Sequence, residues 1–440
     1  MRKLVVLTLF IFAPFVVKAQ MDGEARLMEI EASVLQFITG NNAEDLNELI
    51  GYFRPAEGDA LADRKIALKQ IKEDLQPFLG DVGIEGGPEG LSFFFSNQEE
   101  ARVLKVMINN SGQIAGMRLD IPSSGFTLTV NLLPQLLDSL EDAGYSGLLY
   151  ARKKGDGLIE QAFGMANPGM GIPNTTETIF ATGSRPIDYT VAAIQLLDQQ
   201  GELSIEDPIT EYFEDVPSDK QNMTLQHLLT GRSGLPDFFD TKEDWDADLA
   251  WIDREEATHR LLNIDLIFEP GTNRQHSHAA FGLLAIIVEQ VSGMDYYEFL
   301  REKFFDPAGM DRTGEYGETR GFSIEDFAEG KGPQRIGLPN IPPNWGPTSW
   351  LIKGSGGMYS TFGDLRKFYD YLRSGKVLDE EHQHVFRGES VQLDGSMRGF
   401  ELFSIHYPND DTELYLFLNE LSDRQGIRDV FRALERFMTE

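Results

Sequence analysis

The most informative segment of this chain is Gly183-Ser184-Arg185-Pro186-Ile187, which is followed by the apolar-rich run DYTVAAI at 188–194. Pro186 suits the first turn of a helix, where its missing N–H would have no intrahelical partner in any case. The pattern therefore predicts a helix that begins just after Ser184. A serine at a helix entrance has two candidate roles: its hydroxyl caps the helix, typically for ~1 kcal/mol, or it acts as a nucleophile.

Two other short segments place unusual polar groups near turns and strands. His276-Ser277-His278 follows a Pro-Gly turn at 270–271. Leu393-Asp394-Gly395-Ser396 precedes two apolar runs, at 401–407 and 414–419, that predict neighbouring strands. These three segments are the candidate functional regions of the chain.

An ordered series of motifs between residues 130 and 440 resembles the serine β-lactamase-related family, which includes class C β-lactamases, D-Ala-D-Ala carboxypeptidases and related esterases. Three of these motifs are HLLTGRSGL at 227–235, FEPGT at 268–272 and GGMYST at 356–361. The resemblance implies an α+β protein with a β-lactamase/transpeptidase-like α/β sandwich. In that fold an antiparallel sheet is flanked by helices, and an all-helical insertion covers the other side of the cleft.

The catalytic positions implied by the resemblance carry mostly different residues. The family motif S-x-x-K retains Ser184 here, but Ile187 stands in place of the lysine. The motif Y-x-N aligns His276 with the tyrosine and His278 with the asparagine. The motif (K/H)-(T/S)-G aligns with Leu393-Asp394-Gly395, so an apolar residue replaces the cation and a carboxylate replaces the hydroxyl. Loss of a positioned general base typically lowers the rate by ~10²–10⁴.

Two principal interpretations follow from these substitutions. The first is a protein whose hydrolytic machinery has decayed and which now acts as a binding or scaffold protein. The second is an active acyl hydrolase for an uncharged or cationic ester or amide, in which His276 is the base for Ser184 and the substrate is bound by His278, Gly395 and Ser396. An imidazole, with an unperturbed pKa near ~6.5, is a better general base at neutral pH than a phenol near ~10. In a third interpretation the substrate enters at the amino-terminal domain, and the large domain serves only as a structural support for that domain.

The His-x-His pattern is also compatible with part of a metal-binding site, because neutral imidazoles are common metal ligands. His382 and His384 repeat the spacing, but they follow the acidic run Asp379-Glu380-Glu381. That context favours an exposed, solvated segment. We therefore predict no metal site and no cofactor.

The segment at 20–125 predicts a small α+β domain. Helical apolar stripes at 24–40, 43–53 and 61–79 come first, and strands are expected at 91–95, 102–108 and 113–121. The Gly-rich run at 80–90 is interpreted as an irregular connection, and 122–126 as the linker to the domain at 130–440. The end of this segment weakly resembles small NTF2-like domains. This resemblance supplies no catalytic residue.

Composition and the amino terminus limit the location and the partners. Met1–Ala19 begins with Arg2 and Lys3, continues with apolar residues and ends in a small-residue cleavage pattern, so it predicts a signal peptide and a periplasmic or secreted protein. The chain has 440 residues, no cysteine and a formal net charge of −32. Such a charge repels nucleic acid and anionic membrane surfaces. A small-molecule or peptidoglycan-like peptide ligand is the expected partner, and the sequence carries no signal for an oligomeric state.

Overall fold

A computed structural model describes residues 17–40, 42–53, 55, 59–79, 81–87, 90–96, 101–109, 112–120, 128–244, 249–333, 337–420 and 424–439. Most of the predicted signal peptide Met1–Ala19 and the whole predicted linker at 122–126 lie outside these residues. The chain divides into two compact units, Met1–Thr127 and Leu128–Glu440. This division lies beside the predicted linker.

The first unit combines helices with an antiparallel sheet. Its helices are α1 (Val17–Thr39), α2 (Ala43–Ile50) and α3 (Asp59–Leu75). Its strands are β1 (Asp81–Gly87), β2 (Gly90–Ser96), β3 (Ala101–Ile108) and β4 (Ile114–Asp120), paired in the order β1-β2-β3-β4. The apolar stripes of the helices pack on the sheet, as Val34 and Phe37 do with Phe93 and Phe95.

The irregular connection predicted at 80–90 is wrong. β1 occupies most of this run and pairs antiparallel with β2 from Asp81 opposite Ser96 to Gly87 opposite Gly90. Glycines lower strand propensity because they offer no side chain for packing, yet their main-chain groups still pair. The tertiary pairing with β2 thus overrides the local composition.

The second unit is built around a five-stranded antiparallel sheet in the order β12-β13-β14-β5-β6. Its strands are β5 (Ser146–Lys153), β6 (Asp156–Phe163), β12 (Ser390–Ser396), β13 (Phe400–Tyr407) and β14 (Thr412–Glu420). The shorter strands are β7 (Met165–Asn167), β8 (Ile172–Pro173), β9 (Phe180–Ala181), β10 (Gly314–Glu315) and β11 (Met358–Ser360). β12 lies at the edge of the large sheet, and β9 and β11 pair in a separate small sheet.

Helices cover both faces of the large sheet. They are α4 (Leu133–Asp142), α5 (Pro186–Gln199), α6 (Leu225–Leu229), α7 (Arg254–Asn263), α8 (His278–Ser292), α9 (Tyr296–Leu300), α10 (Asp306–Ala308), α11 (Phe362–Arg373) and α12 (Arg424–Thr439). Successive strand side chains point to opposite faces. Leu149 and Ala151 accordingly join the cluster that contains α4 and α12, whereas Leu148 and Tyr150 join the cluster that contains α5 and α8.

Helix α11 begins and ends as its sequence predicts. The hydroxyl of Thr361 accepts the N–H of Asp364 at 3.1 Å, which satisfies one of the unpaired donors of the first turn. Gly375 follows the helix with φ +73°, a conformation that glycine adopts without steric penalty.

Within the described residues, no single helix has both the length and the apolar character needed to cross a membrane. The bent pair His278–Ser292 and Tyr296–Ala308, whose parts meet at 77°, passes the same test by length and composition only.

We expect a fragment of residues 128–440 to fold without the first unit, because its two largest hydrophobic clusters contain only residues of the second unit. Its thermal unfolding, followed by far-ultraviolet circular dichroism, should be a single cooperative transition. A fragment that lacks a cooperative transition, while the full chain shows one, would contradict the assignment of an independent core.

Candidate active site

Ser184 lies in a tight connection between strand β9 and helix α5. Thr182 anchors this connection to β11, because its backbone N–H and its hydroxyl both donate to the carbonyl of Met358, at 3.1 and 3.0 Å. Gly183 then turns the chain with φ +57°. A Cβ atom at Gly183 would lie 2.5 Å from the backbone nitrogen of Gly395, so only glycine fits between the two segments.

The hydroxyl of Ser184 does not cap helix α5. The N-cap residue of α5 is Arg185, which makes no side-chain capping bond. The Ser184 carbonyl accepts the N–H of Ile187 at 3.0 Å, so this residue contributes its main chain to the first turn. The capping role considered for Ser184 from its sequence position is therefore wrong, and its hydroxyl is available for another partner.

That partner is His278, the first residue of helix α8. The Nε2 atom of His278 lies 2.9 Å from Ser184 Oγ, and its Nδ1 atom lies 2.7 Å from Asp237 Oδ1. An ionised carboxylate only accepts hydrogen bonds, so Nδ1 carries the proton and donates it to Asp237. The lone pair of Nε2 then faces Ser184, whose hydroxyl donates to it. Serine, histidine and aspartate form one hydrogen-bonded path.

The amino terminus of α8 holds the Asp237 loop in position. Ser277 caps the helix by accepting the N–H of Ala280 at 3.1 Å, and its hydroxyl donates to the carbonyl of Pro236 at 2.7 Å. The N–H of Ala279 donates to the Asp237 carbonyl at 2.9 Å. The backbone N–H of His278 donates to Asp237 Oδ1 at 3.2 Å. The positive end of the helix dipole also favours a carboxylate at this site.

His276 does not take the position expected of a base for Ser184. Its ring stands edge-on to that of His278, with centroids 4.7 Å apart and planes at 90°. Partial desolvation and the neighbouring ring of His278 lower the pKa of His276, and Asp237 opposes this change. The predicted Ser184–His276 pair is thus replaced by Ser184–His278, and His278 contacts the serine instead of serving only to bind substrate.

Phe238 covers the ring of His278 from another side. The two rings stack with centroids 4.4 Å apart and planes at 14°, while Phe238 itself remains 48% exposed. This stacking restricts rotation of the imidazole about its side-chain bonds. It also places an apolar, accessible surface beside the serine.

Arg185 connects the serine segment to the strand that carries the third motif. Its guanidinium is buried and donates to Asp394 Oδ2 at 2.5 Å, to Ser404 Oγ at 2.7 Å and to the Tyr369 hydroxyl at 2.9 Å. It also bonds the side-chain oxygen of Gln392. Asp394 and Gln392 thus point inward from edge strand β12.

The carboxylate of Asp394 is not a free charge, because it is paired with Arg185. Burial raises the pKa of Asp394 to about 6, and the charge of Arg185 opposes that rise. The preceding residue, Leu393, is 49% exposed and lies on the other face of β12, where its cross-strand partner Phe403 belongs to the cluster that contains α4 and α12. The position aligned with the family cation therefore holds an apolar side chain that points away from α5.

The structure brings Gly395 beside the serine segment, as the contact with Gly183 shows. Ser396 follows at the end of β12, where its hydroxyl accepts the N–H of Arg398 at 3.0 Å in the turn to β13. Within the described part of the chain, the backbone N–H of Ser184 has no hydrogen-bond acceptor.

The other residues singled out from the sequence lie elsewhere or are already engaged. Ile187 packs against the large hydrophobic cluster. Lys353 lies 3.7 Å from Asp295 and over the rings of Tyr297 and Trp350. His382 contacts Asp379 and Asp198 and does not join the histidines at 276 and 278.

Asp237 is the functional residue that the sequence argument missed. It follows directly on the motif at 227–235, as the last residue of SGLPD at 233–237. Acidic residues that follow a Leu-Pro turn are commonly just exposed to solvent, so the local sequence does not mark Asp237 as different. Only the docking of this loop on α8 reveals its partner.

Comparisons with known proteins identify the family and the fold of the chain. A family model described as Beta-lactamase matches residues 135–395. Penicillin-binding protein 4* of Bacillus subtilis is 32% identical over 342 residues, which cover 70% of this chain and 75% of that protein. Teichoic acid D-alanine hydrolase of Staphylococcus aureus is 23% identical over 301 residues, covering 64% of this chain and 72% of that protein.

A solved structure of a penicillin binding protein from Bacillus halodurans is similar to the second unit. The TM-score is 0.55 at 25% sequence identity, with 68% of this chain and 98% of that chain covered. The predicted β-lactamase/transpeptidase-like fold is confirmed. The matched family segment begins after the first unit, so the resemblance of that unit to NTF2-like domains stays a prediction.

Replacing Asp394 with alanine should lower the free energy of unfolding by about 3 kcal/mol, because removal of one partner leaves a buried charge poorly compensated. This loss is at the lower end of the range usual for breaking a buried ion pair, because Asp188 remains 3.4 Å from Arg185 and still partly compensates its charge. Urea denaturation measures the change. The matched control is Leu393→Ala on the same strand, which should cost about 0.5 kcal/mol or less. Equal losses in the two variants would contradict a structural role for the ion pair.

Proposed function

The chain belongs to the Beta-lactamase family, and we propose that it is an active acyl hydrolase with a catalytic triad of Ser184, His278 and Asp237. The observation that carries this proposal is the pair of hydrogen bonds at His278, 2.9 Å to Ser184 Oγ and 2.7 Å to Asp237 Oδ1. A nucleophile, a base and a residue that orients the base recur in this geometry on unrelated folds.

Each residue has a defined part in the proposed reaction. Ser184 Oγ attacks the carbonyl carbon of the substrate while its proton passes to Nε2 of His278. The carboxylate of Asp237 stabilises the resulting imidazolium through Nδ1–H. His278 then gives that proton to the leaving alcohol or amine, which leaves an acyl-serine. Water, activated by the same Nε2, hydrolyses the acyl-serine and restores the hydroxyl.

The negative oxygen of the tetrahedral intermediate needs fixed hydrogen-bond donors. We assign this role to the backbone N–H groups of Ser184 and Ser396. The assignment is supported by the unpaired N–H of Ser184 and by the contact between Gly183 and Gly395, which places the end of β12 beside the serine. Such donors typically contribute ~10²–10³ in rate.

The route through His278 uses one of the residues that differ from the family motifs and does not need the family lysine or the strand cation. Ile187 and Leu393 replace groups that serve a lysine-dependent mechanism, and the substituted helix face is simply apolar here. The base now comes from the amino terminus of α8 instead of from α5. The scaffold interpretation remains the alternative, and it predicts a protein inert to every ester and amide.

The charges around the site favour an uncharged or cationic substrate. Of the cations described near the serine segment, Arg185 is paired with Asp394 and Lys353 is packed on aromatic rings. Phe238, which stacks on His278 and is 48% exposed, offers apolar surface instead. The name of the staphylococcal relative points to D-alanyl esters, which carry an ammonium and no free carboxylate on the acyl group. We propose aminoacyl or simple acyl esters and amides as the substrate class, encountered outside the cytoplasm if Met1–Ala19 directs export.

Substitutions in the triad should remove esterase activity towards para-nitrophenyl butyrate. We expect His278→Ala to lower kcat/KM by at least ~10² and Asp237→Asn by up to ~10⁴. Ser184→Ala combined with His278→Ala should lose no more than either alone, since the two act as a unit.

His276→Ala is the matched control for these substitutions, because it removes the adjacent imidazole that does not reach Ser184. This variant should keep most of its activity. A serine-directed fluorophosphonate should add to the wild-type protein at Ser184, as seen by intact mass. An active enzyme that His276→Ala abolishes and His278→Ala spares would overturn the triad, and a protein that neither hydrolyses esters nor accepts the probe would favour the scaffold.

Substrates with a free carboxylate on the acyl part should react poorly. We expect kcat/KM for para-nitrophenyl hemisuccinate to be at least about tenfold below that for the butyrate, which corresponds to roughly 1.4 kcal/mol. Efficient, Ser184-dependent turnover of a chromogenic cephalosporin by the wild-type protein would contradict this specificity.

A further inference from the structure

We propose that Asp237, His276 and His278 together bind a divalent transition-metal ion, and that the bound ion blocks the serine chemistry. One ligand atom from each of the three side chains lies within 4.8 Å of the other two. His276 is exposed and the other two side chains are partly exposed, so an ion can reach the group from solvent. Among the described residues, no other group of three or more His, Cys, Asp or Glu side chains brings its ligand atoms this close together.

The third ligand distinguishes this site from the His-x-His pattern in the sequence. Two imidazoles at 276 and 278 alone make a weak pair, but the loop that carries Asp237 docks on α8 and adds a carboxylate. Among the described residues, the similar pair at 382 and 384 forms no converging set of three ligands: His382 bonds the carboxylate of Asp379, whereas His384 bonds the carbonyl of Glu381.

The donor set indicates the class of ion. Two nitrogens and one carboxylate oxygen suit Zn²⁺, Ni²⁺ or Cu²⁺, whereas Mg²⁺ and Ca²⁺ prefer oxygen ligands. Zinc binds such atoms at ~2.0–2.2 Å, so the three ligand atoms must adjust their positions around the ion. Rotation of the exposed His276 ring can supply this movement. Water or Ser184 Oγ would complete a tetrahedral set.

Metal binding and the proposed triad exclude one another because both use the same imidazole. The two ring nitrogens of His278 are already committed, Nε2 to Ser184 and Nδ1 to Asp237. An ion on Nε2 removes the acceptor for the serine proton. An ion on Nδ1 displaces the proton that Asp237 accepts. In either arrangement His278 cannot act as the base.

The binding part of this inference is independent of catalysis, whereas the inhibition rests on the proposed function. Binding is therefore measured first on Ser184→Ala by isothermal titration with Zn²⁺, and one ion per chain is expected. Adding His276→Ala should weaken binding at least about tenfold. His259→Ala, which removes an exposed histidine of α7, is the matched control and should leave the affinity unchanged.

Inhibition is measured on the protein with Ser184 present. Zn²⁺ should abolish esterase activity at the concentrations that saturate the site, and EDTA should restore it. His276→Ala, active without metal, should need at least about tenfold more Zn²⁺.

The possible results separate the two proposals. Equal zinc affinity with and without His276 would overturn the metal site, and activation by zinc would overturn the inhibition. Binding that depends on His276 in a protein inert to esters would support the site while removing the proposed function.

Discussion

The burial of one guanidinium, that of Arg185, constrains the whole candidate site. A buried charge without partners is strongly unfavourable, so its donors must find acceptors inside the protein. Those acceptors come from edge strand β12, from β13 and from helix α11, through Asp394, Ser404 and Tyr369. Because Arg185 directly follows Ser184, satisfying its hydrogen bonds also fixes where the serine stands relative to the end of β12.

The same ion pair explains why a carboxylate is tolerated in the third motif. Asp394 neutralises Arg185, so its charge is not free to repel an anionic group. Leu393, its neighbour on β12, lies on the opposite face of the sheet with its cross-strand partner Phe403. The residues at 185 and 394 are therefore better understood as one coupled pair than as two separate features.

The base has a different structural origin from the one that the family motifs imply. Ile187 commits the first turn of α5 to apolar packing. The amino terminus of α8 supplies the imidazole instead, and the loop before it supplies the carboxylate. Helix capping by Ser277, loop docking through Pro236 and orientation of His278 all depend on the same few residues. The same segments also bring together the three ligands that we propose bind a metal ion.

The sequence by itself determined the fold of the second unit, because the motifs at 227–235, 268–272 and 356–361 appear in family order and local patterns such as the Thr361 cap act over a few residues. It also singled out Ser184, His278 and Gly395, which the structure brings close together. Tertiary structure alone decided which histidine meets the serine, since His276 and His278 differ by two positions but leave the chain in different directions at the start of α8. The role of Asp237, the pairing of Asp394 with Arg185 and the strand at 81–87 were likewise decided by contacts between segments distant in the chain, which residue type and local periodicity do not encode.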